Sequence, residues 1–128
     1  MGRQIGKRFW LTAAVVAVLL VPGRSASAEE WRIIGEQGLM QFISVPEEHA
    51  ADRQFYMRIA DELCRRGQIC ILHFFIDRDR VSFPFSDADL AAQSAAFNLN
   101  PNTGMRRLLL ACSLDPDPER CFDNLDDF

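Results

Sequence analysis

Apolar residues recur with two different periods along residues 29–128, and the switches between them mark out six elements. Residues 31–34 and 40–45 are short runs rich in β-branched and aromatic side chains. Gly35-Glu36-Gln37-Gly38 lies between them, so the spacing predicts a β-hairpin. Pro46 then stops strand pairing, and Glu47 and Glu48 place negative charge where a helix N-terminus is electropositive. Ala51, Phe55, Ile59 and Leu63 follow at every fourth position with Tyr56, Ala60 and Cys64 beside them, while Asp52, Arg53, Asp61, Glu62 and Arg65 fall away from the stripe. This predicts an amphipathic helix over 47–66, ended by Gly67.

Residues 69–76 are apolar on both alternating faces apart from His73, the pattern of a central strand covered on both sides. A charged turn, Asp77-Arg78-Asp79-Arg80, leads to Val81-Ser82-Phe83-Pro84-Phe85, an extended stretch that Pro84 keeps out of a sheet interior. Ser86 with Asp89 three residues on resembles a capping box, and predicts a second helix through Asn98 with Leu90, Ala91, Ser94 and Phe97 inward. The Asn- and Gly-rich link 98–104 then delivers the chain to a strand over 106–112. The order β-β-α-β-α-β implies an α+β domain: a small mixed β-sheet with two helices packed on it.

Composition changes this picture at both ends. Residues 1–28 have the build of a secretory signal: Arg3, Lys7 and Arg8, an apolar run over 9–21, and a small-residue exit, Ala26-Ser27-Ala28. Cleavage is expected after Ala28, since the apolar run is shorter than the roughly 20 residues needed to span a bilayer, and no stable membrane insertion is expected afterwards. That leader holds four of the 14 basic residues and none of the 18 acidic ones, so residues 29–128 keep ten arginines, no lysine and a net charge of −8. Such a balance argues against nucleic-acid binding. From Asp115 to Phe128, six acidic groups face Arg120 alone; this acidic C-terminal tail is expected to be solvated and pinned at Cys121, beyond a domain over 29–114.

Export to a periplasmic or secreted location changes the meaning of Cys64, Cys70, Cys112 and Cys121, because an even cysteine count in a small exported domain points to disulfides. Three pairings are open. Neighbour pairing stabilises by roughly 2–3 kcal/mol per bridge, and the nested alternative by roughly 4. The spacing fits neither a redox motif nor a tetrahedral zinc site with His49 or His73.

No nucleophile elbow, phosphate-cradling glycine loop, dinucleotide fingerprint or metalloprotease motif is present, so no catalytic residue, metal or cofactor is assigned and a non-catalytic role is favoured. His73, inside the most apolar strand, is the candidate of an alternative reading as a small hydrolase working with a carboxylate; its other role is that of a satisfied core histidine. His49 reads as a solvated residue at a helix start. Val81, Phe83 and Phe85 form the candidate partner-binding segment, for a protein or a cell-envelope component, against the alternative of a lid over the sheet end. A third reading is an enzyme inhibitor that plugs a cleft with its acidic tail. The pairs Arg65-Arg66 and Arg106-Arg107 are expected to meet the protein's own carboxylates.

The run Glu62-Leu63-Cys64 through Ile69-Cys70 to the aromatic strand, then Asn100-Pro101-Asn102-Thr103-Gly104 and Leu108-Leu109 before Cys112, resembles a group of small exported bacterial proteins of unknown function. The resemblance covers residues 45–112 and implies no activity.

Overall fold

A computed structural model describes Gly2 and residues 30–123. The expected signal segment and the last five residues of the tail therefore lie outside the described residues, Gly2 excepted.

The hairpin forms as its pattern requires. Strand β1 (Arg32–Gln37) and strand β2 (Met40–Val45) pair antiparallel, with a bulge between Ile33 and Gly35 and the tight turn displaced to Gly38, whose φ of 58° suits glycine. Strand β3 (Cys70–Ile76) lies parallel to β2, and the connection between them is helix α1 (Arg53–Leu63). The helix is shorter than expected at both ends. Glu47–His49 closes a separate 3₁₀ turn, and the Asp52 carboxylate is the true N-cap, accepting from the Gln54 and Phe55 amides at 3.0 and 3.2 Å. At the other end Cys64 turns extended, and its disulfide to Cys70 leads the chain into β3.

A larger correction concerns the second helix. The capping box is present, with Ser86 and Asp89 bonded reciprocally, yet helix α2 spans only Asp87–Ala92 and residues 95–100 are strand β4 (Ala95–Asn100). Leu90, Ala91, Ser94 and Phe97 mimic a helical stripe. However, Ala95, Phe97 and Leu99 alternate with Ala96, Asn98 and Asn100, and pairing with β3 on one side and strand β5 (Met105–Ala111) on the other outweighs the helix preference of alanine. The Asn100–Gly104 segment thus closes a β-hairpin rather than a helix-to-strand link. Asn100 accepts from the Asn102 amide, and Gly104 takes a φ of 71°.

The last strand, β6 (Cys121–Phe122), runs parallel to β5, and the Cys112–Cys121 disulfide ties the two at a Cα separation of 4.8 Å. The acidic segment is therefore part of the sheet as far as these residues. Asp115 is buried between Arg53 at 3.5 Å and Arg120 at 3.4 Å, and Arg53 also donates to the Leu108 carbonyl at 2.9 Å. Both bridges join neighbouring cysteines, and the fold is a mixed six-stranded sheet in sequential order with two helices.

Alternation sorts the two faces. Ile43, Val45, Leu72, Phe74, Ala95, Phe97, Leu108 and Leu110 point to α1, where Phe55, Tyr56, Ile59 and Ala60 complete the main core. Tyr56 is buried, and its hydroxyl is satisfied by donating to the Ala50 carbonyl at 2.7 Å, with Ser94 Oγ at 3.1 Å. Phe42, His73 and Phe75 point the opposite way, so β3 is covered on both faces by different means.

Candidate functional site

On the face away from α1, the sheet is roofed by the chain between β3 and β4. Val81 and Phe85 fold down onto Phe42 and Phe75, and the Phe85 ring stacks on Phe42 at 4.7 Å. Its amide donates to the Gln37 side chain at 3.1 Å, tying the roof to β1. Phe83 behaves otherwise. It is 58% exposed, and its ring meets Phe42 edge-on at 6.1 Å. Beneath it lies Gly35, where a Cβ would stand 2.7 Å from the Phe83 ring, so only glycine lets the ring settle against the edge strand. The three residues of the candidate segment thus divide: Val81 and Phe85 belong to the small second core, and Phe83 presents itself outward.

The roof is held by Asp89. Its carboxylate accepts from the Ser82 amide at 3.1 Å and the Ser86 hydroxyl at 2.8 Å, and faces Arg78 at 3.0 Å. Burial pushes this carboxyl up, but the hydrogen bonds from Ser86 and Ser82 outweigh it and bring it down to about 2. Arg32 adds a second strap by pairing with Asp79 and donating to the Arg78 carbonyl.

His73 lies under the roof, its ring 5.6 Å from Phe42 and 5.2 Å from Phe85. Nδ1 is 2.8 Å from the Gln93 side-chain oxygen, so Nδ1 carries the proton and Nε2 is left as a lone-pair acceptor. Neither Nε2 of His73 nor the amide nitrogen of Gln93 has a hydrogen-bond partner among the described residues. The group that orients His73 is an amide, not a carboxylate, and Asp89 is committed to the roof. Burial lowers the His73 pKa against a smaller raising by Gln93.

That shift has a definite sign. The unfolded chain takes up a proton below the usual value of 6.5 while the folded one resists, so stability falls as pH drops through this window. In His73→Leu the loss of stability between about pH 7 and about pH 5 should be visibly smaller than in wild type, as measured by urea unfolding at each pH. Equal slopes would contradict it.

A scan against protein-family models, a search of curated proteins and a search of solved structures each find no match.

His49 is not merely solvated. It stacks on Phe55 at 4.3 Å and lies 3.3 Å from Glu30. Among the described residues there is no group of three or more metal-ligating side chains placed to hold an ion, and no helix long and apolar enough to cross a membrane. The sequence reading missed Gln93 as the partner of His73, Gly35 as the seat of Phe83, and Asp89 as more than a helix cap. Only Asp89 had a local signal, the capping box; the other two depend on pairings across the sheet.

Proposed function

We propose that the chain is an exported, disulfide-braced domain that binds another protein or a cell-envelope component, with Phe83 at the centre of the contact. The observation that carries this is the Phe83 ring, held against Phe42 and Gly35 yet 58% exposed. An aromatic ring fixed before binding offers a large apolar area with little ordering entropy left to lose, which is how interface anchors act. Its surroundings fit the same role: β1 has a strand on one side only among the described residues, and Ile33 on it is 43% exposed. Val81 and Phe85 support the ring from below by filling the second core and do not themselves make the contact.

Phe83→Ala should lower affinity for the partner by about thirtyfold, corresponding to about 2 kcal/mol. The thermal midpoint should stay near that of wild type, because most of the ring is already in water. The measurement is recovery of envelope components on immobilised wild type and Phe83→Ala protein, followed by titration of whatever is recovered. Identical recovery by both would sink the proposal.

A further inference from the structure

A second site stands on the other face, at the C-terminal end of α1. Arg65, Arg66 and Arg106 line one cleft of about 400 Å³, within the range of small-molecule sites. Three of the ten arginines in residues 29–128 therefore border one recess of an acidic protein, Arg65 standing on the rim it shares with a neighbouring recess that holds Glu36 and Glu62. Only Arg106 is engaged, 3.2 Å from Asp61 and 6.0 Å above the Phe97 ring. The side chains of Arg65 and Arg66 make no ion pair among the described residues. The loop carrying them is constrained by the Cys64–Cys70 disulfide, with a Cα separation of 5.6 Å, and by the turn at Gly67, where φ is 76°. Leu99, only partly buried, gives the cleft an apolar wall, while Phe97 forms its floor from within the core.

We propose that this cleft binds a phosphate monoester carried on an apolar body. The charge balance favours that group: three guanidinium ions against Asp61 leave two positive charges, and a phosphate monoester carries roughly −1.5 to −2 near neutral pH. Guanidinium forks match its three peripheral oxygens in a way that the point charge of lysine does not. A carboxylate offers two oxygens and one charge, too little for three forks, while the partly exposed Leu99 takes up apolar surface that free phosphate lacks. The same chemistry is found in a soluble phosphorylated amphiphile and in a terminal-phosphate lipid headgroup at a membrane surface. The site is separate from the Phe83 edge, and the inference stands whether or not that edge binds a partner.

The test uses two probes on the oxidised protein: short-chain phosphatidate as a soluble monomer, and phosphatidylcholine vesicles doped with phosphatidate. Binding to at least one should saturate and fall about tenfold in Arg65→Ala and in Arg66→Ala, with a smaller loss in the lysine variants. Asp61→Asn should tighten it severalfold. Arg107→Ala changes a cation whose side chain alternates to the opposite face of β5, and should leave affinity within about twofold. Binding of the monomer identifies a soluble ligand; binding of the vesicles alone identifies a membrane headgroup. Absence of saturable binding to both probes, or an Arg107→Ala loss equal to that of Arg66→Ala, overturns the proposal.

Discussion

Reducing both disulfides is expected to cost the domain about 5 kcal/mol, enough to unfold it or leave it marginal at ambient temperature. The two bridges close short loops, with sequence separations of 6 and 9, and each contributes roughly 2–3 kcal/mol by limiting the freedom of the unfolded chain. Their consequences differ by place. Cys64–Cys70 joins the end of α1 to the start of β3, so the Cys64→Ser/Cys70→Ser variant should lose stability as a whole, with a lower urea midpoint. Cys112–Cys121 holds the two-residue strand β6 beside β5. In Cys112→Ser/Cys121→Ser the amides of residues 113–123 should exchange faster with solvent than those of β3, because the segment is then held to the body by Arg53, at Asp115 and the Arg120 carbonyl, and by the few backbone bonds of β6 to β5. A urea midpoint unchanged by reductant would show that the bridges contribute nothing to the fold.

Local periodicity decided which parts of this architecture could be read in advance. The stripe Phe55, Ile59, Leu63 and the doubly apolar run Ile71–Phe75 each repeat often enough to fix their element type, and α1 and β3 form accordingly. Residues 95–100 carry two patterns at once, and only their pairing with β3 on one side and β5 on the other resolves them as β4. β6 is two residues long and has no period to detect. The start of α1 was misplaced because Glu47 and Glu48 imitate a first turn, whereas Asp52 supplies the actual cap. The sites follow the same logic. Val81, Phe83 and Phe85 look alike in a linear segment, and the Gly35 seat separates Phe83 from the other two. Arg65-Arg66 and Arg106 are 40 residues apart in the chain, and sheet and helix packing bring them to one cleft.

Asp89→Ala should be the most damaging single change in the roof, lowering stability by about 3 kcal/mol. The carboxylate is buried and gathers Ser82, Ser86 and Arg78, so its removal strands the Ser82 amide and releases both arms of the segment that holds Phe83 and Phe85. Asp89→Asn keeps the volume but loses the charge, and should cost less than the alanine variant. Acid separates the two contributions. A carboxyl lowered from 3.8 to about 2 supplies stability that is fully present above 3.8 and is lost as pH falls through that interval, so wild type should lose more stability across it than Asp89→Asn. The roof also links this residue to binding. With the arms released, the Phe85 amide should lose its protection at Gln37, and Phe83 should no longer be held against Phe42 before it meets a partner. Asp89→Asn should then weaken partner binding severalfold without touching the partner, through loss of preorganisation. An Asp89→Asn protein with faster Phe85 exchange but wild-type affinity would show that Phe83 does not depend on the roof for its position.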